Sequence, residues 1–163
     1  MVDFSLRRAA RAAGTTHKVL LYHFEGVDDL LVQAVDELRS RRISGGLTAA
    51  AQAGTLAGRV RAIWPVLIGE EARVLDQAIG LAMYDPARHA ALGHGASEQY
   101  LPALLGLCPD DWADDRRLQV ATMVLGTLRG LLIDVRTSGD PVRVAAGLDA
   151  LARALDREEA AGT

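Results

Sequence analysis

The sequence predicts an all-α protein, and three observations predict it. Alanine, leucine and arginine dominate while aromatic residues make up only 4% of the chain. No stretch alternates β-branched and polar residues as a half-buried strand would. Apolar residues recur instead at spacings of three and four, the period of a helix face. With 163 residues, half of them apolar, the chain makes about one to two small domains and can bury a real core.

Each element follows from local signals. Ser5 is an N-cap candidate for a first helix to about Ala13, and Gly14 supplies the conformation that ends it. Thr15 or Thr16 caps a second helix reaching about Phe24. The run EGVDD opens a third, with acids in its first turn and Arg39, Arg41 and Arg42 in its last, as the helix dipole favours. Its apolar face is Leu30, Leu31, Ala34, Val35 and Leu38. Gly45-Gly46 is the clearest break, dividing the chain into a small domain over 1–44 and a larger one over 45–163. Helices are expected over 55–68, kinked or reset at Pro65, and over 70–84; Pro86 starts another, weakened by Gly93 and Gly95, and 97–106 forms one more. CPDDWADD reads as a loop and helix start. From Asp114 to Ser138, Leu118, Ala121, Leu125, Leu128, Leu132 and Val135 keep the three-four spacing. Asp140 then caps, and Pro141 begins, a helix to about residue 157 with Val144, Leu148, Leu151 and Leu155 on one face. The two helices form an antiparallel hairpin, and Gly126 and Gly130, one turn apart, would let another backbone come close.

Charge is unevenly spread. The net is −3, yet residues 1–24 carry Arg7, Arg8, Arg11 and Lys18 against Asp3 alone, a net of +3. Residues 43–163 carry 11 basic and 15 acidic side chains, a net of −4. Local positive charge is what attracts phosphate; the sum bears on solubility. The single cysteine, Cys108, forms no intrachain disulfide and reads as a small buried hydrophobe. No window offers the roughly 18–20 uninterrupted apolar residues of a membrane span, and no leader pattern opens the chain, so a cytoplasmic location with no membrane partner is expected.

The run SLRRAARAAGTTHKVLLYHF over 5–24 carries the functional signal. Leu6, Ala9, Ala10 and Ala13 make a small apolar face that lets two helices pack closely, with Arg7, Arg8 and Arg11 on the other side where phosphates are met. Thr16, His17 and Lys18 lead the second helix toward base edges, and Leu20 and Phe24 point inward. Two core helices joined by a glycine turn would share much of this pattern.

The longer run FSLRRAARAAGTTHKVLLYHFEGVDDLL resembles, without a gap, the DNA-binding segment of the tetracycline-repressor (TetR) family. Ser5, Leu6, Arg7, Ala10, Ala13, Gly14, Thr16, His23, Phe24, Asp28, Asp29 and Leu30 match its pattern, within a resemblance covering residues 4–42. It implies a helix-turn-helix followed by a larger helical domain for ligand binding and dimerisation. It also implies a homodimeric regulator, in most members a repressor that releases double-stranded operator DNA when a small organic ligand changes the spacing of its two reading heads. By position, Thr16, His17, Lys18 and Tyr22 would face bases or neighbouring phosphates, and Ser5 and His23 would anchor to phosphate. The last two helices would form the dimer interface, through Leu125, Leu128, Leu132, Leu148, Leu151 and Leu155. Three positions depart from the family: Leu21 and Val27 replace residues that bond phosphate, and Ala9 replaces a larger aliphatic. The resemblance further implies a helix ahead of Phe4, which places the natural start upstream of Met1 and leaves Leu6, Phe24, Leu30 and Val35 partly exposed without it.

The ligand is expected among the middle helices, near Trp64, Met83, Tyr84, Tyr100, Trp112 and Met123, with His89 and Asp76 as polar partners. An apolar lining suits a weakly polar, drug-like or lipid-like molecule. Nothing asks for catalysis, a metal or another cofactor. His89 and His94 with Glu98 are the best candidates, but a five-residue spacing does not put both imidazoles on one turn, and zinc needs three or four convergent ligands. The alternative to a regulator is a dimeric small-molecule-binding or interaction protein that has lost DNA binding.

Overall fold

The computed structural model describes residues 5–70 and 72–161; residues 1–4, 71, 162 and 163, and with them the expectations for Phe4 and the start of the chain, lie outside. The described residues form nine helices and no strand: α1 Leu6–Ala12, α2 His17–His23, α3 Val27–Ala50, α4 Leu56–Ile68, α5 Ala72–Tyr84, α6 Pro86–Gly93, α7 Ala96–Leu105, α8 Asp114–Ser138 and α9 Pro141–Ala161.

Most ends are set by short-range chemistry. Ser5 Oγ accepts the Arg8 N–H at 3.3 Å and Thr16 Oγ1 accepts the Val19 N–H at 3.3 Å, each satisfying one orphan donor of a first turn. Between them Gly14 takes φ +64°, with the Thr15 N–H donating to Ala10 O at 2.9 Å and the Gly14 N–H to Arg11 O at 3.3 Å. This paired closure requires a left-handed residue where Gly14 stands. Asp85 Oδ1 accepts the Arg88 N–H ahead of Pro86, and Asp140 Oδ1 accepts the Arg143 N–H at 3.0 Å ahead of Pro141.

The third helix departs from expectation. It runs through Arg42 and the Gly45-Gly46 pair to Ala50, so the pair is no break. A Cβ added to Gly45 would stand 3.4 Å from Val66 Cγ1, and one on Gly46 3.5 Å from Ile63 Cγ2. The glycines lie where α3 packs on α4, and that packing outweighs the roughly 1 kcal/mol each gives up in a helix. Pro65 likewise lies inside α4 without ending it.

Three clusters of buried residues hold the chain. The largest joins α4, α8 and α9 with the end of α7 and its loop: Val60, Val124, Leu128, Leu151 and Leu155 lie at its centre, with Cys108 and Trp112 from the loop. Full burial of each such leucine stabilises by about 1.5–3 kcal/mol. Cys108 is buried, its Sγ 3.6 Å from Leu104 O, and burial pushes the thiol above its ordinary range, as suits an inert packing group. The second cluster, Val35, Leu75, Ala78 and Leu92, ties α3 to α5 and α6. There a Cβ on Gly93 would meet Ala82 Cβ at 2.9 Å, so only glycine allows that approach. The third is small: Leu6, Ala10 and Leu20, with Phe24, Val27 and Leu30 against it.

Leu6 and Val35, expected to be partly exposed, are thus buried at 7% and 3%, because Leu20 covers the first and Leu75 and Leu92 the second. Phe24 and Leu30 are half-buried. Helix α8 is long and apolar enough to cross a membrane by length and composition, but its buried side chains pack against the rest of the chain.

Candidate nucleic-acid interface and ligand cavity

Two surfaces of different character stand out. The first belongs to α1 and α2. Leu20 anchors α2 inward, which turns the opposite side of that helix to solvent: Lys18 is exposed and Tyr22 is 86% exposed. Thr16 and His23 are exposed as well, while Ser5 and His17 are half-buried. The Tyr22 and His23 rings meet edge to face, 5.1 Å between centroids. Arg7, Arg8 and Arg11 are exposed on α1. The Ser5 and Thr16 oxygens are taken up as caps, yet a hydroxyl that accepts a backbone N–H still has its own proton to donate to a phosphate oxygen. These side chains give the α1–α2 pair exposed cationic and hydrogen-bonding groups of the kind that meet a nucleic-acid backbone. Val19, 45% exposed between Lys18 and His23, belongs to the same face and was not anticipated; a valine on a solvent-facing turn was its only signal.

The second is a cleft of about 630 Å³, open to solvent on one side, between α3, α5, α7 and α8 with contributions from α4 and α6. Twelve of its 27 lining residues are leucine or isoleucine. Exposed Met83 and Ile133 stand at its rim, and Tyr100, Ser97 and Asp76 supply uncharged and acidic polar groups. Four arginines also line it: Arg39 and Arg42 from α3, Arg129 and Arg136 from α8. A volume of this size and a mostly apolar wall with a few placed polar groups are what a small-molecule site needs. Among the described residues no group of three His, Cys, Asp or Glu is placed to hold a metal.

Comparison with protein families, characterised proteins and solved structures found no match to this chain. Function therefore has to be read from the two surfaces.

Of the residues expected at a ligand, Tyr100, Met83 and Asp76 line the cavity and the others do not. Trp64 packs against the main core, Trp112 is buried within it under the Arg116 guanidinium at 4.0 Å, Tyr84 is 91% exposed and Met123 is 39% exposed on α8. His89 also lies outside the cavity lining. Large side chains in a row of helices do not reveal which faces converge.

The six leucines expected at a dimer interface lie within the main core of the chain. Leu128, Leu132, Leu148, Leu151 and Leu155 are buried in the core of a single chain, and Leu125 packs partly buried against them. Leu125, Leu128 and Leu132 also form cavity wall. The buried face of α8 packs on α7, α9 and α4 within the chain. What α8 leaves outside is an uncharged stripe of Gln119, Thr122, Met123, Gly126, Gly130 and Ile133, and a Cβ added to Gly126 or Gly130 would meet nothing within 4 Å.

Proposed function

We propose that the chain is a homodimeric, ligand-responsive transcription regulator of the TetR type, most simply a repressor in the cytoplasm. On this reading α1 and α2 are its helix-turn-helix and α2 enters the major groove. The observation that carries the proposal is the ungapped resemblance over residues 4–42: of the positions it assigns to DNA, Thr16, Lys18, Tyr22 and His23 are exposed, Lys18 and Tyr22 on the side of α2 away from buried Leu20. The local net charge of +3 over residues 1–24 supports it, since phosphate contacts dominate affinity for duplex DNA. The cavity gives a ligand a place against α8 and α3, and α3 continues directly from the α2 turn. A second copy is accommodated by the uncharged outer stripe of α8, where Gly126 and Gly130 permit close approach.

The alternative, a dimeric binding protein without DNA, is favoured by one feature: among the described residues only three are buried in the α1–α2 cluster, a weak platform for a reading head. Titration of the chain with duplex DNA from around its own gene at two salt concentrations separates the two. The regulator predicts sequence-preferring binding that weakens steeply with salt. Absence of binding at low salt, or binding with no salt dependence, overturns it and leaves the binding module.

A further inference from the structure

The four cavity arginines are not equally occupied. Arg39 is 2% exposed and fully committed: its Nη1 donates to Asp36 Oδ1 at 3.2 Å and to His94 O at 3.5 Å, and its Nη2 to Leu92 O, closing the end of α6. Arg136 donates through Nε to Asp76 Oδ2 at 3.2 Å and through Nη2 to Ile68 O and Gly69 O at 3.1 and 3.3 Å. Among the described residues Asp76 is the single carboxylate on the wall, and this pair uses it.

Arg42 and Arg129 are left over. Arg42 gives one Nη2 bond to Leu67 O at 2.9 Å, while its Nε is buried with no hydrogen-bond partner. Arg129 gives one bond, to Ser97 Oγ at 3.1 Å, and lies 6.0 Å over the Tyr100 ring. Neither makes an ion pair with a carboxylate among the described residues. Each guanidinium carries five N–H donors in a planar fork, so most of this capacity is unused. Burial pushes the Arg129 guanidinium below its ordinary range, and nearby Arg39 and Arg42 push it the same way against the pull of Tyr100 and Glu98. Surplus positive charge held against a leucine and isoleucine wall is costly unless an anion joins it.

We infer that the cavity takes an amphipathic organic monoanion, its acid group held between Arg42 and Arg129 and its apolar body along the leucine and isoleucine wall. The inference rests on the cavity being the ligand site of the proposed regulator and names the chemistry of that ligand. A carboxylate matches the guanidinium fork in bidentate fashion. The two halves of the ligand answer two halves of the site, so neither charge nor apolar body suffices alone.

Calorimetric titration with decanoate, decanol and acetate tests this without DNA. Decanoate should bind at least about tenfold more tightly than decanol, the worth of a charge-assisted hydrogen bond or more, and acetate should not bind measurably. Arg42→Gln and Arg129→Gln should each cut decanoate affinity about tenfold and leave decanol binding unchanged. The decanol measurement reports that the cavity of each variant is intact, and Arg129→Lys, which keeps charge but loses the fork, should fall between. Equal affinity for decanoate and decanol, no binding of decanoate, or equal losses for both ligands in the glutamine variants overturns the inference. Because no DNA is present, a regulator that binds an uncharged ligand and a ligand-binding protein that never touches DNA give different patterns across this titration and the salt titration.

Discussion

The α1–α2 pair and the α8–α9 hairpin are built by the same local rules and spend their apolar residues in opposite ways. Both have a side-chain cap at the start of their second helix, Thr16 in one and Asp140 in the other, and a left-handed glycine between their helices, Gly14 and Gly139. The hairpin sinks Val120, Val124, Leu128, Leu148, Leu151 and Leu155 into the largest core of the molecule. The pair buries Leu6, Ala10 and Leu20 and turns Lys18, Val19 and Tyr22 outward. One region is a load carried inside; the other is a thin platform whose value lies on its surface. The difference teaches that a helix pair with few buried residues can still be well specified, because caps and a single inward leucine fix which way its other side chains face.

The sharpest way to break this comparison is to remove one anchor from each region. Leu155→Ala should lower global stability by roughly 2–5 kcal/mol, since Leu155 is fully buried and little around it can collapse into the space. Leu20→Ala should unravel α1 and α2 with little shift in the main urea transition, because its cluster is separate. Circular dichroism in urea with limited proteolysis checks both. If Leu20→Ala moves the main midpoint as far as Leu155→Ala, the two regions are one cooperative unit and the comparison fails.

A smaller effect is expected on the outer face of α8. With Gly126 open to solvent, Met123→Arg combined with Gly126→Arg should leave the single chain folded and weaken self-association by about 2–3 kcal/mol, through like charges set face to face. Sedimentation of both proteins reads this directly. Dimers of undiminished stability would place the interface elsewhere.

Much of this was legible in the residues, and the part that was not has a physical reason. Caps and turns at Ser5, Gly14, Thr16 and Asp140 involve neighbours within a few residues, so the sequence shows them. The inward positions of Leu20 and Phe24 follow from helix period alone. Gly45-Gly46 misleads because its role is a contact with Val66 and Ile63 on another helix. The apolar stripes of α8 and α9 face the core except at Leu118, which is exposed, but a stripe does not say whether its partner is the same chain or a second copy. The cavity arginines were illegible for the same reason: Arg42 and Arg129 look like solvated charges until α3 and α8 are brought together around the cavity.

The smallest effect concerns the turn that joins the two parts of the molecule. The Gln33 amide donates to Asp29 Oδ1 and the Glu25 N–H to Oδ2, both at 2.9 Å, and hold the Asp29 carboxyl below the usual carboxylate value of 3.8. A carboxyl with a depressed folded-state pKa contributes stability that is complete above its unfolded value and is lost as pH falls through the folded one. Protection of the Glu25 amide, measured against its intrinsic exchange rate at each pH, should therefore be greatest at neutral pH and fall on acidification below that range, and Asp29→Asn should blunt that pH dependence. Exchange at Glu25 that is indifferent to pH apart from intrinsic chemistry would remove Asp29 from the turn.

The central claim is that the outward side of α2 reads DNA, and footprinting on duplex DNA from around the gene tests it most directly. A homodimer should protect two half-sites about one helical turn apart. Lys18→Ala with Tyr22→Ala should erase that protected pattern, whereas Arg7→Ala should weaken binding to all sequences alike. A footprint that survives loss of Lys18 and Tyr22 would contradict the account.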